Sequence, residues 1–221
     1  MPNTPSPLSP NLRAVLFDFD GTLGDSYPAI TASVNHVRGL HGLAPLSIDE
    51  IKRHVGRGAG YLLAHTVGVG DPDANADAYR AHHPSVLHGG TRLLPGAADL
   101  LRLLHGRGLR LGVCSNKPVA FTRDLATYLG VAPLLDAVLG PEDVARPKPA
   151  PDMLLAALQR LHVAAAEALY VGDMSVDVQT ARGAAVAVWV VATGSEERDA
   201  LVRARPDRLF ASLGEMATAF Q

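Results

Sequence analysis

The stretch Ala14-Val15-Leu16-Phe17-Asp18-Phe19-Asp20-Gly21-Thr22-Leu23 constrains this chain more than any other. A continuous apolar run of this length reads as a strand buried on both faces of a parallel sheet. It stops at two carboxylates one residue apart, and Gly21 then lets the chain leave the strand sharply. Open α/β sheets place their ligands beyond the carboxyl ends of their strands, which is where Asp18 and Asp20 fall. Ionised acids packed this closely repel each other unless a cation or a shared proton relieves them. Mg²⁺, which prefers hard oxygen ligands, is the simplest relief. A lone Asp-x-Asp at a strand end is more often a solvated acid pair, so the rest of the chain decides.

Three further segments complement the first. Leu109-Arg110-Leu111-Gly112-Val113-Cys114 is a second strand-like run, ending in Ser115-Asn116-Lys117-Pro118. Arg146-Pro147-Lys148-Pro149 holds a lysine between two prolines, which restrict its backbone, just ahead of a helical pattern. Ala168-Leu169-Tyr170-Val171 is another buried strand, ending in Gly172-Asp173-Met174-Ser175-Val176-Asp177. Taken singly, Ser115 reads as a helix cap, Lys148 as a surface charge, and Asp173 and Asp177 as acids favouring a helix start.

Together and in this order the four segments resemble the haloacid dehalogenase (HAD) superfamily of phosphohydrolases, in particular its phosphoglycolate-phosphatase-like branch. The resemblance covers nearly the whole chain from Arg13 onward. It implies an α/β fold: a three-layer, Rossmann-like parallel sheet core with an inserted all-helical cap. It implies that Asp18 attacks the substrate phosphorus to form a phosphoaspartate, and that Asp20 protonates the leaving alcohol and then deprotonates water. Ser115 and the backbone N–H of Asn116 are implied to donate to the phosphoryl oxygens, and Lys148 to neutralise charge on phosphate and Asp18. Mg²⁺ is implied to bind Asp18, the backbone carbonyl of Asp20, and Asp173, with Asp177 orienting a metal water or Lys148. Branches that dehalogenate or cleave carbon–phosphorus bonds usually lack an acid at position 20, so Asp20 argues for phosphate esters.

The segment Gly56-Arg57-Gly58-Ala59-Gly60 lacks the Lys-Ser/Thr of a nucleotide phosphate loop, and no strand precedes it. It is similar to a Gly-x-Gly segment in phosphoglycolate-phosphatase-like members, making Arg57 a candidate for a substrate carboxylate; a solvated helix-start arginine is the equal alternative. The expected reaction is therefore Mg²⁺-dependent hydrolysis of a small phosphorylated metabolite, with 2-phosphoglycolate a candidate substrate. A β-phosphoglucomutase-like phosphosugar mutase is the runner-up. A receiver-type signalling module that carries a phosphoaspartate is the alternative from another class, although the length, the insert and Asp20 speak against it. Two positions depart from the family pattern. Gly24 stands where a bulkier residue is common, which is expected to loosen the hinge, and Ala185 stands where glycine is frequent.

The alternation of strand and helix stops after Leu23. Residues 24–91 give helical patterns only: Pro28 to Arg38, a Ser47-capped turn, Gly58 to Val67, and Pro72 to Leu87 with a break expected near Pro84. The expected division is a disordered N-terminal arm over 1–11, a core over 12–23 and 92–221, and a helical cap over 24–91. Gly89-Gly90 and Leu94-Pro95-Gly96 mark the expected hinge. Beyond it, helices alternate with strands expected at 109–114, 137–139, 168–171 and 185–191, then an edge strand at 207–210 and a closing helix.

With 221 residues, 48% of them hydrophobic, the chain can bury a substantial core. A net charge of −2 carries no basic footprint, so nucleic acid is not an expected partner. The single cysteine, Cys114, reads as a small buried filler at a strand end. Adjacent His82 and His83, followed by proline, make poor geometry for one metal and read as surface residues of the cap. The apolar runs fall short of the ~20 residues of a membrane span, and the first eleven residues lack a secretory pattern. The expected setting is cytoplasmic, as a monomer or homodimer.

Overall fold

A computed structural model describes residues 11–220, so the arm expected over 1–11 lies, but for Asn11, outside the described residues. The strands are β1 (Ala14–Phe17), β2 (Gly24–Asp25), β3 (Arg92–Leu93), β4 (Arg110–Cys114), β5 (Ala137–Leu139), β6 (Ala168–Gly172), β7 (Ala187–Val191) and β8 (Arg208–Phe210). The helices are α1 (Tyr27–Leu40), α2 (Ile48–Lys52), α3 (Ala59–Thr66), α4 (Pro72–Leu87), α5 (Ala97–Gly106), α6 (Val119–Tyr128), α7 (Asp152–Leu161), α8 (Ser175–Gly183), α9 (Arg198–Ala204) and α10 (Leu213–Thr218).

Six strands form one parallel sheet in the order β5-β4-β1-β6-β7-β8. Successive side chains of a strand point to opposite faces, so β1 feeds two cores at once. Val15 and Phe17 pack with Leu100, Leu125 and Met216 of α5, α6 and α10. Ala14 and Leu16 pack with Leu154, Val178 and Leu201 of α7, α8 and α9. Helices on both faces leave no wet side to the sheet, which is why its strands read as unbroken apolar runs. From β1 the chain builds outward to β4 and β5, then returns to β6 on the other side. The order thus reverses beside β1, and the crevice at such a reversal is where α/β sheets bind ligands.

Helices α1 to α4 form the insert around a core of their own, including Ile30, Val34, Ile51, Leu62 and Tyr79. Ser47 and Glu50 close a capping box on α2, and Asp71 caps α4 by accepting from the Ala74 N–H at 2.8 Å. Helix α4 runs unbroken through Pro84, contrary to the expected break; the residue is solvent-exposed, where water can satisfy the carbonyl that proline leaves unserved. Where the insert joins the core, the chain forms a two-stranded antiparallel ribbon, β2 with β3, tied by an Arg92–Asp25 ion pair at 2.7 Å. Gly24 lies against the Phe19 ring so closely that a Cβ would stand 2.7 Å from Cε1. Glycine there permits this close approach. Among the described residues no helix is long and apolar enough to cross a membrane.

Candidate active site

Three neighbouring strands each end in a polar residue of the motifs. Asp18 follows β1, Ser115 follows β4 and Asp173 follows β6, so the register of the sheet sets them side by side. Asp18 Oδ1 accepts from the Phe19 N–H at 2.7 Å, and its Oδ2 stands 2.9 Å from Lys148 Nζ. Lys148 also donates to Asp177 Oδ1 at 2.7 Å and to the Tyr170 hydroxyl at 3.0 Å. Its loop is clamped by Asn116, whose Nδ2 donates to the Lys148 carbonyl and whose Oδ1 accepts from the Lys148 N–H, both at 3.0 Å. Asp177 Oδ2 accepts from the N–H groups of Asp173 (3.1 Å) and Met174 (3.0 Å), fixing the turn into α8.

Burial pushes the Asp18 carboxyl up to about 6, although Lys148 opposes that and Asp177 adds to it. Asp173 is driven well above the ordinary carboxylate range, first by burial and then by the charges of Asp177 and Asp18. Burial disfavours the charge on Lys148 too, but the adjacent Asp177 and Asp18 outweigh it and raise the ammonium above its usual value. Asp18, Asp20, Asp173 and Asp177 face two ammonium groups, Lys148 and Lys117. Ionised, the cluster carries two uncompensated negative charges, which one divalent cation would neutralise.

Oxygens of Asp18, Asp173 and Asp177 lie within 4.8 Å of one another. Asp173 Oδ1 takes a hydrogen bond from Thr22 at 2.7 Å, while its Oδ2 is buried without a partner. Gly21 and Gly194 border that oxygen, and a Cβ on either would overlap it. An orphaned carboxylate oxygen in an all-oxygen cradle fits a hard cation. Asp177 shares its oxygens with Lys148 and two backbone N–H groups.

Asp18, Asp20, Ser115, Asn116 and Lys117 line a small pocket of about 40 Å³ whose opposite wall comes from the insert, through Ile30, Leu62 and Tyr79 among others. Arg57 is not brought to it. Its side chain is exposed, sits over the Tyr61 ring at 5.1 Å, and lines an outer groove with Arg53 and Arg203. His83 is not a surface residue: it is fully buried, bonded through Nδ1 to Ser33 at 2.8 Å and stacked on Tyr79. Cys114 is buried as expected, its thiol pushed up to about 12 by that burial.

Several contributors escape a motif reading. Lys117 Nζ lies 3.3 Å from both Asp20 oxygens, and Ser26 donates to Asp20 Oδ1. The Tyr170 hydroxyl accepts from Lys148 and donates to the Cys114 carbonyl at 2.9 Å. A tyrosine in an otherwise aliphatic buried strand is the one advance signal among these, since its hydroxyl must find a partner.

Residues 15–191 match the family model for haloacid dehalogenase-like hydrolases. The chain is 42% identical to a phosphoglycolate phosphatase of Rhodospirillum rubrum over 194 residues, covering 82% of this chain and 80% of the relative. It is 29% identical to the Escherichia coli K12 phosphoglycolate phosphatase, covering 95% and 92%. In three dimensions it is similar to a haloacid dehalogenase-like hydrolase from Bacteroides fragilis described as putative, with TM-score 0.87, 29% identity, and 93% and 99% coverage. A predicted phosphoglycolate phosphatase from Haemophilus somnus shares the fold, with TM-score 0.90 at 23% identity, covering 96% and 99%. The six-stranded parallel sheet, the acids gathered at its reversal point and these kinships lead to one conclusion: the chain belongs to the haloacid dehalogenase-like hydrolases and is a phosphatase of that family.

Proposed function

We propose that this protein hydrolyses a small phosphomonoester through a phosphoaspartate on Asp18, with 2-phosphoglycolate as its substrate. The observation that carries the reading is the pairing of a buried Asp18 carboxylate with Lys148 at 2.9 Å, beside Ser115 and Asp173 at adjoining strand ends. An Asp18 oxygen attacks phosphorus and the ester P–O bond breaks. Asp20 gives its proton to the departing alkoxide. Water, surrendering a proton to Asp20, then attacks the same phosphorus; the acyl P–O bond breaks, inorganic phosphate leaves and Asp18 is restored. Splitting the displacement in two is what a carboxylate nucleophile offers, and one acid–base group serves both halves.

Phosphoryl transfer demands positioning and charge neutralisation more than covalent chemistry. Ser115 and the Asn116 N–H donate to the phosphoryl oxygens, and Lys148 faces the same charge. Mg²⁺ would be held by Asp18, the Asp20 carbonyl and Asp173, supplying further charge neutralisation and orientation. The helical insert of residues 24–91 acts as the cap, and the small pocket it closes suits a compact substrate. The phosphoglycolate phosphatases among the relatives support that choice. Phosphate release from a panel of phosphorylated metabolites, with Mg²⁺ or chelator and with Asp18→Asn as control, tests the reading. Turnover that needs Mg²⁺ and Asp18 upholds it; release unaffected by the variant refutes it.

A further inference from the structure

Lys117 is a buried cation that the chemistry above does not use. It is only 7% exposed, and buried ammonium groups persist only when paired. Its pairing is loose. Both contacts to Asp20 are 3.3 Å, longer than the 2.7–2.9 Å typical of charge-assisted bonds. Asp20 has a second donor in Ser26, so its carboxylate stays held when Lys117 turns away. Lys148, by contrast, is committed to Asp177, Asp18 and Tyr170 within 3.0 Å.

Position adds to this. Lys117 lies two residues beyond Ser115 on the same loop, so an anion bound at Ser115 leaves its substituent close to the ammonium. Among the described residues Lys117 is the one cationic side chain lining this pocket. The insert offers a largely apolar wall, with Ile30, Val55 and Leu62, and Arg57 points elsewhere. Recognition of a second anionic group thus falls to the core loop, not the cap.

We propose that Lys117 determines specificity by taking the carboxylate of a short phosphorylated carboxylic acid, exchanging Asp20 for the substrate anion. This rests on the phosphomonoesterase reading above. A site built to pair a substrate group discriminates strongly against analogues lacking it. The test compares kcat/KM for 2-phosphoglycolate and for ethyl phosphate, which is similar in size but lacks the carboxylate. Wild type should favour phosphoglycolate by at least tenfold. Lys117→Met should shrink that preference roughly ten- to a hundredfold, the worth of one charge-assisted bond, while Arg57→Met leaves the preference intact. Equal losses on both substrates in Lys117→Met, or loss of the preference in Arg57→Met instead, would overturn the assignment. Should Lys117→Met not fold, the wild-type preference still decides: a ratio near one overturns it. Hydrolysis of both esters without preference, abolished by Asp18→Asn, sinks only this inference; hydrolysis of neither sinks the proposed function on which it stands.

Discussion

Asp18 is oriented by the Phe19 N–H on one oxygen and Lys148 on the other, and Lys148 in turn depends on Asn116. Asn116 also donates to the Gly56 carbonyl at 3.2 Å, so one amide ties the lysine loop to the insert. Asn116→Ala should lower kcat/KM by about 10²-fold, the scale of an ångström-level displacement of a catalytic group. Steady-state kinetics beside a thermal melt would show this; a fall in melting temperature with unchanged kinetics would assign Asn116 to stability alone. Ala185 is a second residue with a measurable consequence. At φ +55° it occupies left-handed space, which costs a residue with a Cβ about 1–2 kcal/mol. Ala185→Gly removes that strain but adds unfolded-chain entropy of about 0.5–1 kcal/mol. A net gain of about 0.5 kcal/mol is expected in denaturant titration. At this scale the sequence is legible wherever placement follows a local signal: Asp18, Ser115 and Asp173 each close an apolar run and stand at adjoining strand ends. Lys117 is not, because its burial depends on Asp20, 97 residues away, and in isolation it reads as a surface charge.

At the scale of elements, the strands of the sheet are read well because burial on both faces makes them apolar throughout. The β2–β3 ribbon is invisible for the opposite reason, since two-residue strands carry no periodicity. Helix α9, seven residues in a charged stretch, is missed likewise. The placement of Arg57 follows from how α2 packs on α1 and α3 on α4 and α1, which no segment of sequence states by itself. Helix α4 supplies a pH test. Burial, then the nearby Lys117 and His82, depress His83 to about 3, whereas in the unfolded chain it titrates near 6.5. Between these values the unfolded chain binds the extra proton, so stability is lost as pH falls from about 6.5 towards 3, by about 1.4 kcal/mol per pH unit. His83→Gln should flatten the stability curve by that slope in this window and leave it parallel to wild type above pH 7. Identical slopes below pH 6 would contradict the buried, neutral histidine.

For the whole molecule, the cores on the two faces of the sheet and the separate core of the insert meet at a cluster whose acids outnumber its cations. Ionised, such a cluster is strained, and a cation or a proton relieves it. Saturating Mg²⁺, at a hundredfold over its Kd, should stabilise the fold by about 2.7 kcal/mol, or roughly 5–10 °C in Tm for a chain of this size. Asp173→Asn should abolish the Mg²⁺ gain. A variant that keeps the full gain would remove Asp173 from the metal site. The proposed covalent bond between Asp18 and phosphorus can be trapped in Asp20→Asn, where an aryl phosphate still phosphorylates the enzyme because its leaving group hardly needs a proton, while attack by water is slowed by roughly 10²–10⁴-fold. Acid quench, borohydride reduction of any acyl phosphate and peptide mass spectrometry then locate the bond. Homoserine in place of Asp18, absent from an Asp18→Asn control, is the expected result. An unmodified Asp18 under turnover, with Asp18→Asn still releasing phosphate at near-wild-type rate, would contradict it.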